Sequence, residues 1–286
     1  ATIEDRAGFD HLTFTKFPYT GMIFTDASDR LITGSAASGT ALATGNATNI
    51  GRISMDPEGK KPFETIAERA KKQGMKVGII SSVSIDHATP AVFYAHQQNR
   101  NQYFDIAVDL ANSPFDLFAG GEFRQPLGTM EDADINATDI AIENGFTYIN
   151  KNEQLLNLTN KNQRVLFQSE RLSDGAAMPY RIDQQPGDIT LAQITEKAIE
   201  LLENDKGFFI MVEGGKIDWA CHANDAATAI HEVLDFDEAV GKAYDFYLDH
   251  PDETLIIVTA DHETGGMSVG ADISGYDVNL EVLKYQ

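Results

Sequence analysis

PFETIAERAKKQGMKVGIIS, residues 62–81, is the stretch that decides the fold. Its first half places Phe63, Ile66, Ala67 and Ala70 on one helical face, and Gly74 reads as the stop. Its second half, residues 76–81, is a short apolar run of the kind buried inside a sheet. A helix followed by a buried strand is one α-to-β unit, and the rest of the chain is read by asking whether the unit repeats.

Downstream it does. Residues 84–90 read as a loop at the strand's end, and residues 91–100 look helical, with 103–112 continuing in that sense. A strand is predicted at 115–119, a helix at 134–144 ended by Gly145, a strand at 146–149, a polar helix at 151–162 and a strand at 164–168. Residues 170–187 carry Gly175, Pro179 and Pro186 without a period and read as a surface loop. Then come a helix at 190–203, a strand at 207–213, a long helix from about 224 to 250 and a strand at 254–260. Upstream, residues 1–33 suggest loop and short strand. Strands alternating with helices imply an α/β fold, with a mostly parallel sheet covered on both faces. The expected organisation is a single domain over 1–286, in which the weakly patterned region 113–187 reads as an insertion or cap.

Composition sets bounds. With 286 residues, 42% of them hydrophobic, the chain can bury a sizeable core. No run approaches the ~20 apolar residues of a membrane span. A formal charge of −22 argues against nucleic-acid binding, because phosphate backbones need Lys and Arg to replace their counterions. An anionic substrate would need a local field reversed by bound cations. Cys221 is the sole cysteine, so no internal disulfide exists, and it reads as a small buried residue. The sequence starts at Ala1 with no visible signal peptide.

The candidate chemical residues fall after strand C-termini, the edge at which open α/β sheets bind ligands. GSAASGTALATG, residues 34–45, places Ser35 at a turn running into helix-compatible residues. A serine at a helix N-terminus meets unpaired N–H groups and a favourable dipole for an anion; the plain alternative is a helix start capped by Ser35 or Ser38. Asp218 and His222 stand four apart, on one face of a helical turn, and Asp261 and His262 form a second pair on a loop. Carboxylate plus imidazole suits zinc, and two such pairs suggest two zinc ions; the alternative for the first is an ordinary helical ion pair. Two metals can clamp an in-line phosphoryl transfer, with Ser35 activated on one of them. Arg100, eleven residues after Thr89, is the candidate for holding two phosphate oxygens.

At this point several motifs coincide with one family. GSAASGTALATG with TNIG at 48–51, DHATPA at 86–91 with AHQQNR at 95–100, GFFIMVEGGKIDWACH at 207–222, LDFDEAV at 234–240 and IVTADHETGG at 257–266 stand in the family's order. On them the chain resembles the alkaline phosphatases. The resemblance implies a three-layer α/β/α sandwich that hydrolyses phosphate monoesters through a phosphoserine, with two Zn2+ and one Mg2+. It matches Ser35 to the nucleophile and Arg100 to the phosphate-binding arginine. Asp261 and His262 match ligands of the zinc that activates the serine, Asp218 and His222 those of the leaving-group zinc, and Thr89 and Glu213 those of the magnesium. His87 and Trp219 match positions that vary in the family and tune magnesium occupancy and phosphate affinity, in the His/Trp combination of some bacterial members.

The resemblance also implies inorganic phosphate as product and inhibitor, a homodimer, and a periplasmic or secreted address. Gly34 departs from the pattern, standing where the best-known members have aspartate. The family's opening Asp-Gly strand and its late zinc histidine are not matched, which leaves each of the three metals one ligand short and predicts a fragment of the enzyme. Two rival functions follow: a noncatalytic metal- or phosphate-binding relic, and a phosphodiesterase or sulfatase of the same superfamily. Ser35 lacks the Cys/Ser-x-Pro-x-Arg context of sulfatases, and diesterases usually have a threonine nucleophile without the Arg100 pattern, so monoesters are favoured.

Overall fold

The deciding stretch folds as its pattern predicts. Thr65 opens a helix with a capping box, its hydroxyl accepting from the Glu68 N–H while the Glu68 carboxylate accepts from the Thr65 N–H. The helix runs Ile66–Lys72, Gly74 adopts the left-handed conformation (φ 86°) that turns the chain, and the strand Lys76–Ser84 follows. The computed structural model describes residues 11–129 and 134–267. In chain order its elements are α1 (Ser35–Thr44), α2 (Ile66–Lys72), β1 (Lys76–Ser84), α3 (Ala88–Ala91), α4 (Tyr103–Asn112), β2 (Leu117–Gly121), α5 (Ala137–Glu143), β3 (Phe146–Ile149), α6 (Asn152–Leu156), β4 (Arg164–Gln168), α7 (Leu191–Leu202), β5 (Phe208–Glu213), α8 (Lys216–His222) and α9 (Ala226–Asp249).

The five strands form one sheet in the order β3-β4-β2-β1-β5, and every pairing is parallel. Neighbouring side chains along a strand point to opposite faces, so a strand apolar at every position needs cover on both. Ile79, Phe118 and Leu166 face one side, where they pack with Ala67 of α2, Ile106 and Leu110 of α4 and Ala141 of α5. Ile80, Leu117, Ala119, Val165 and Phe167 face the other, with Leu191, Ile194 and Ala198 of α7 and Ala239 of α9. The result is the three-layer α/β/α sandwich.

Four expectations are corrected. Residues 254–260 have an apolar run but form no strand: Leu255 and Ile257 are 84% and 75% exposed, and β5 is hydrogen-bonded to β1 alone among the described residues. Apolar character gives a strand its faces, but ladder partners make it a strand. Residues 91–100 are not a helix. α3 stops at Ala91, and the chain extends so that Ile53 and Gln97 exchange backbone hydrogen bonds at 3.0 Å. Region 113–187 carries β2, β3 and β4, so it continues the sheet rather than capping it. In residues 11–33 the regular element is a single 3-10 turn, Thr13–Lys16, and the first ten residues lie outside the described ones.

Loop and helix meet through buried charge beneath α9. Glu232 and Asp235 are buried, with Glu232 accepting from the Arg181 N–H at 2.6 Å and Asp235 standing 3.8 Å from the Arg181 guanidinium. Burial pushes Glu232 up to about 7, against the pull of Arg181 and Lys216 and aided by the Asp235 charge. Burial likewise lifts Asp235 to about 6. Both carboxyls therefore bind protons more tightly folded than unfolded, so they cost stability as pH rises from the ordinary carboxylate range towards about 7. Glu232→Gln keeps the acceptor and removes the charge. We expect it to stabilise the fold at pH 8 by about 1–3 kcal/mol and to bring no gain at pH 4, as read by denaturant titration; equal effects at both pH values would refute the cause.

Candidate active site

Gly34 is the N-cap of α1 in extended conformation, which makes Ser35 the first helical residue and places Ser38 one turn later. Neither serine caps the helix, contrary to the plain reading of this turn. The small residues serve packing instead: Ala36 and Ala37 are buried, and a Cβ on Gly39 would come within 2.9 Å of Val92. With α1 seated so closely, its first turn faces the segment after residue 260. Ser35 Oγ lies 3.2 Å from His262 Nε2, and Ser38 Oγ donates to Asp261 Oδ2 at 3.0 Å.

The second group grows from the end of β5. Glu213 closes the strand, Gly214 and Gly215 make the turn, and α8 then presents Asp218, Trp219 and His222. Asp218 and His222 pair at 3.4 Å across one helical turn, as do Asp261 and His262 at 3.4 Å on the loop. Thr264 joins the pairs: its hydroxyl donates to Asp218 at 2.7 Å and lies 3.1 Å from His262 Nδ1. Gly265, at φ 79°, lets this loop lie on α8, since a Cβ there would be 2.3 Å from the Cys221 carbonyl oxygen. Cys221 itself is half-buried rather than buried.

Arg100 arrives through the extended segment, its N–H donating to the Gly51 carbonyl at 2.7 Å. Its guanidinium lies 3.1 Å from His87 Nε2. Arginine can only donate, so the imidazole accepts at Nε2 and carries its proton on Nδ1. Burial, aided by the charges of Arg100 and Arg124, pushes His87 down to about 3, so the ring is neutral. Trp219 meets His87 edge-on with ring centroids 5.8 Å apart.

Glu213 supplies the observation that bears on metals. Burial pushes it up to about 7; the Ser81 hydroxyl opposes this, the Asp261 charge adds to it, Thr89 opposes it and the Asp218 charge adds again. Three carboxylates thus crowd one region, and the ion-pair partners given to Asp218 and Asp261 among the described residues are only the two imidazoles. Oxygen and imidazole donors with no Lys or Arg among their ion-pair partners fit divalent cations in kind. The donors come as pairs: among the described residues no three His, Cys, Asp or Glu side chains gather to hold one ion.

Ser38, Thr264 and Ser81 join this site although the sequence assigned none of them a part in its chemistry. Ser38 was legible as one turn beyond Ser35. Ser81 was not, because its role comes from sheet register, which sets it opposite Glu213.

Ser35, His87, Arg100, Asp218, Trp219, His222 and His262 line one cavity of about 460 Å³. Thr89 and Glu213 are not in its lining; Glu213 feels the charges of Asp261 and of the lining residue Asp218, and the Thr89 hydroxyl acts on Glu213. Among the described residues, no helix is long and apolar enough to cross a membrane. The sequence model of the alkaline phosphatase family matches residues 4–284. Alkaline phosphatase 4 of Bacillus subtilis is 38% identical over 263 residues, covering 88% of this chain and 54% of the relative, so the chain spans about half of its length. The structure of alkaline phosphatase from the Antarctic bacterium TAB5 superposes with a TM-score of 0.80 at 34% identity, covering 92% of this chain and 74% of the other. A variant of that enzyme with magnesium bound gives 0.79 at 33% identity, with the same coverages. On motif, fold and family match together, the chain belongs to the alkaline phosphatase family.

Proposed function

We propose that the protein hydrolyses phosphate monoesters through a phosphoserine on Ser35. The observation that carries this reading is one cavity lined by a helix-N-terminal serine, an arginine, the Asp218–His222 pair and His262, whose partner Asp261 stands 3.4 Å from it. Arg100 binds two phosphoryl oxygens with its fork, and neutral His87 fixes that fork without competing for the anion. Ser35 Oγ forms the bond to phosphorus as the bond to the alcohol oxygen breaks, with the helix N-terminus facing the charge that develops. Water then attacks the same phosphorus, returns Ser35 and releases inorganic phosphate, which competes for Arg100 as product and inhibitor.

Asp261 with His262, and Asp218 with His222, would each hold a Zn2+, and Thr89 with Glu213 a Mg2+. Bound there, these ions supply Lewis acidity for the serine oxygen and the leaving oxygen, and countercharge for three carboxylates. Because the reading centres on the phosphoryl group, the substrate class is broad. By resemblance it carries a periplasmic or secreted address and a homodimer.

The test is hydrolysis of an aryl phosphate by the chain with zinc and magnesium, before and after chelation. Activity that disappears on chelation and returns with both metals is expected; turnover indifferent to chelation would overturn the reading.

A further inference from the structure

Lys216 has no part in the chemistry above, yet it is fully buried at the start of α8, two residues before Asp218. Its ammonium donates to Ser173 Oγ at 2.7 Å and to the Met178 carbonyl at 3.0 Å, stands 3.6 Å from Asp174 Oδ1, and lies 3.4 Å over the Tyr180 ring. All four partners belong to the loop 173–180. It also lies 5.3 Å from the Trp219 ring. Burying a lysine is costly, and an apolar side chain of similar volume is the ordinary occupant of such a place.

The loop so held reaches the cavity. Its backbone is tied to the strand ends, with the Met178 N–H donating to Ser82 O at 2.9 Å and the Glu122 N–H to Ala176 O at 2.8 Å. Gly175, at φ 61°, lies under the indole so closely that a Cβ would be 2.9 Å from Trp219 Cη2. The indole meets His87, and His87 accepts from Arg100.

We infer that Lys216 is a positioning residue: it clasps the loop 173–180 against α8, which fixes Trp219, and Trp219 in turn fixes His87 and the Arg100 fork. The inference rests on the phosphatase reading for the role of Arg100 alone. An arginine that holds phosphoryl oxygens in ground and transition states alike contributes uniform binding, so its displacement shows in affinity more than in turnover.

Trp219 is the sole tryptophan of the chain, so its emission reports on the clasp directly. The experiment compares wild type, Lys216→Met and Lys216→Arg as full chains with zinc and magnesium, reading acrylamide quenching of Trp219, affinity for inorganic phosphate, and KM and kcat for an aryl phosphate. For the methionine variant we expect quenching to rise about twofold, phosphate affinity to fall and KM to rise about tenfold, with kcat falling by less than about twofold. The arginine variant, which keeps charge and donors, recovers most of each. Wild-type quenching and affinity in the methionine variant would overturn the inference, as would lost affinity without a change in quenching, or a fall confined to kcat. If the methionine variant does not fold, Ser173→Ala removes one acceptor from the loop and is expected to shift quenching and affinity the same way by about threefold; no shift overturns the inference. A wild-type chain that binds phosphate but hydrolyses nothing sinks the phosphatase reading, while quenching and phosphate affinity still decide the clasp.

Discussion

Ser35→Ala is expected to lower phosphate monoester hydrolysis by on the order of 10⁴-fold or more, because among the described residues Ser35 is the lining residue that brings a hydroxyl to the first turn of α1. Ser38, one turn away, is committed to Asp261 at 3.0 Å. The substitution should leave the fold alone. Ser35 does not cap α1, its side-chain partner is His262 Nε2, and alanine is the best helix former. Initial rates with an aryl phosphate, set beside the thermal midpoint, separate the two effects. More than about one percent of wild-type turnover at an unchanged midpoint would sink the assignment of Ser35 as nucleophile.

Gly121→Ala should give the largest loss of stability of any substitution considered, about 3 kcal/mol or more. A Cβ at this strand end would stand 2.2 Å from the Ala176 carbonyl oxygen and 2.8 Å from that of Val83, both of them backbone atoms with no rotamer to yield. The loop bearing Ala176 must move, and Gly175 of that loop lies against Trp219, so exposure of the indole should accompany the loss. Gly21→Ala is the control: nothing lies within 4 Å of its Cβ, and a change within about 0.5 kcal/mol is expected. Denaturant midpoints followed by tryptophan emission measure both, and a tolerated Gly121→Ala would mean the loop is not seated where it is described.

The layers were legible because a period is a local property. Apolar spacing at 62–74 and 190–203 names helix faces, and uninterrupted apolar runs name buried strands. What failed depended on partners. Residues 254–260 have strand composition but no ladder among the described residues, and the helix expected over 91–100 is cut short by the bridge from Gln97 to Ile53, 44 residues away in sequence. The same division runs through the site. The Asp–His pairs are visible as spacings of four and one, and Ser35 as a turn before a helix. Thr264 between the pairs, Ser81 against Glu213 and Lys216 under Trp219 come from packing and register, which no single stretch encodes.

Trapping the covalent intermediate tests the central claim most directly. The chain, loaded with zinc and magnesium, is mixed with a phosphate monoester and quenched in acid, and its peptides are examined by mass spectrometry. The account predicts phosphate on the peptide containing Ser35 and none on the same peptide of Ser35→Ala. Hydrolysis that proceeds with the Ser35 peptide unmodified at every quench time, or phosphate carried by another residue, would contradict it.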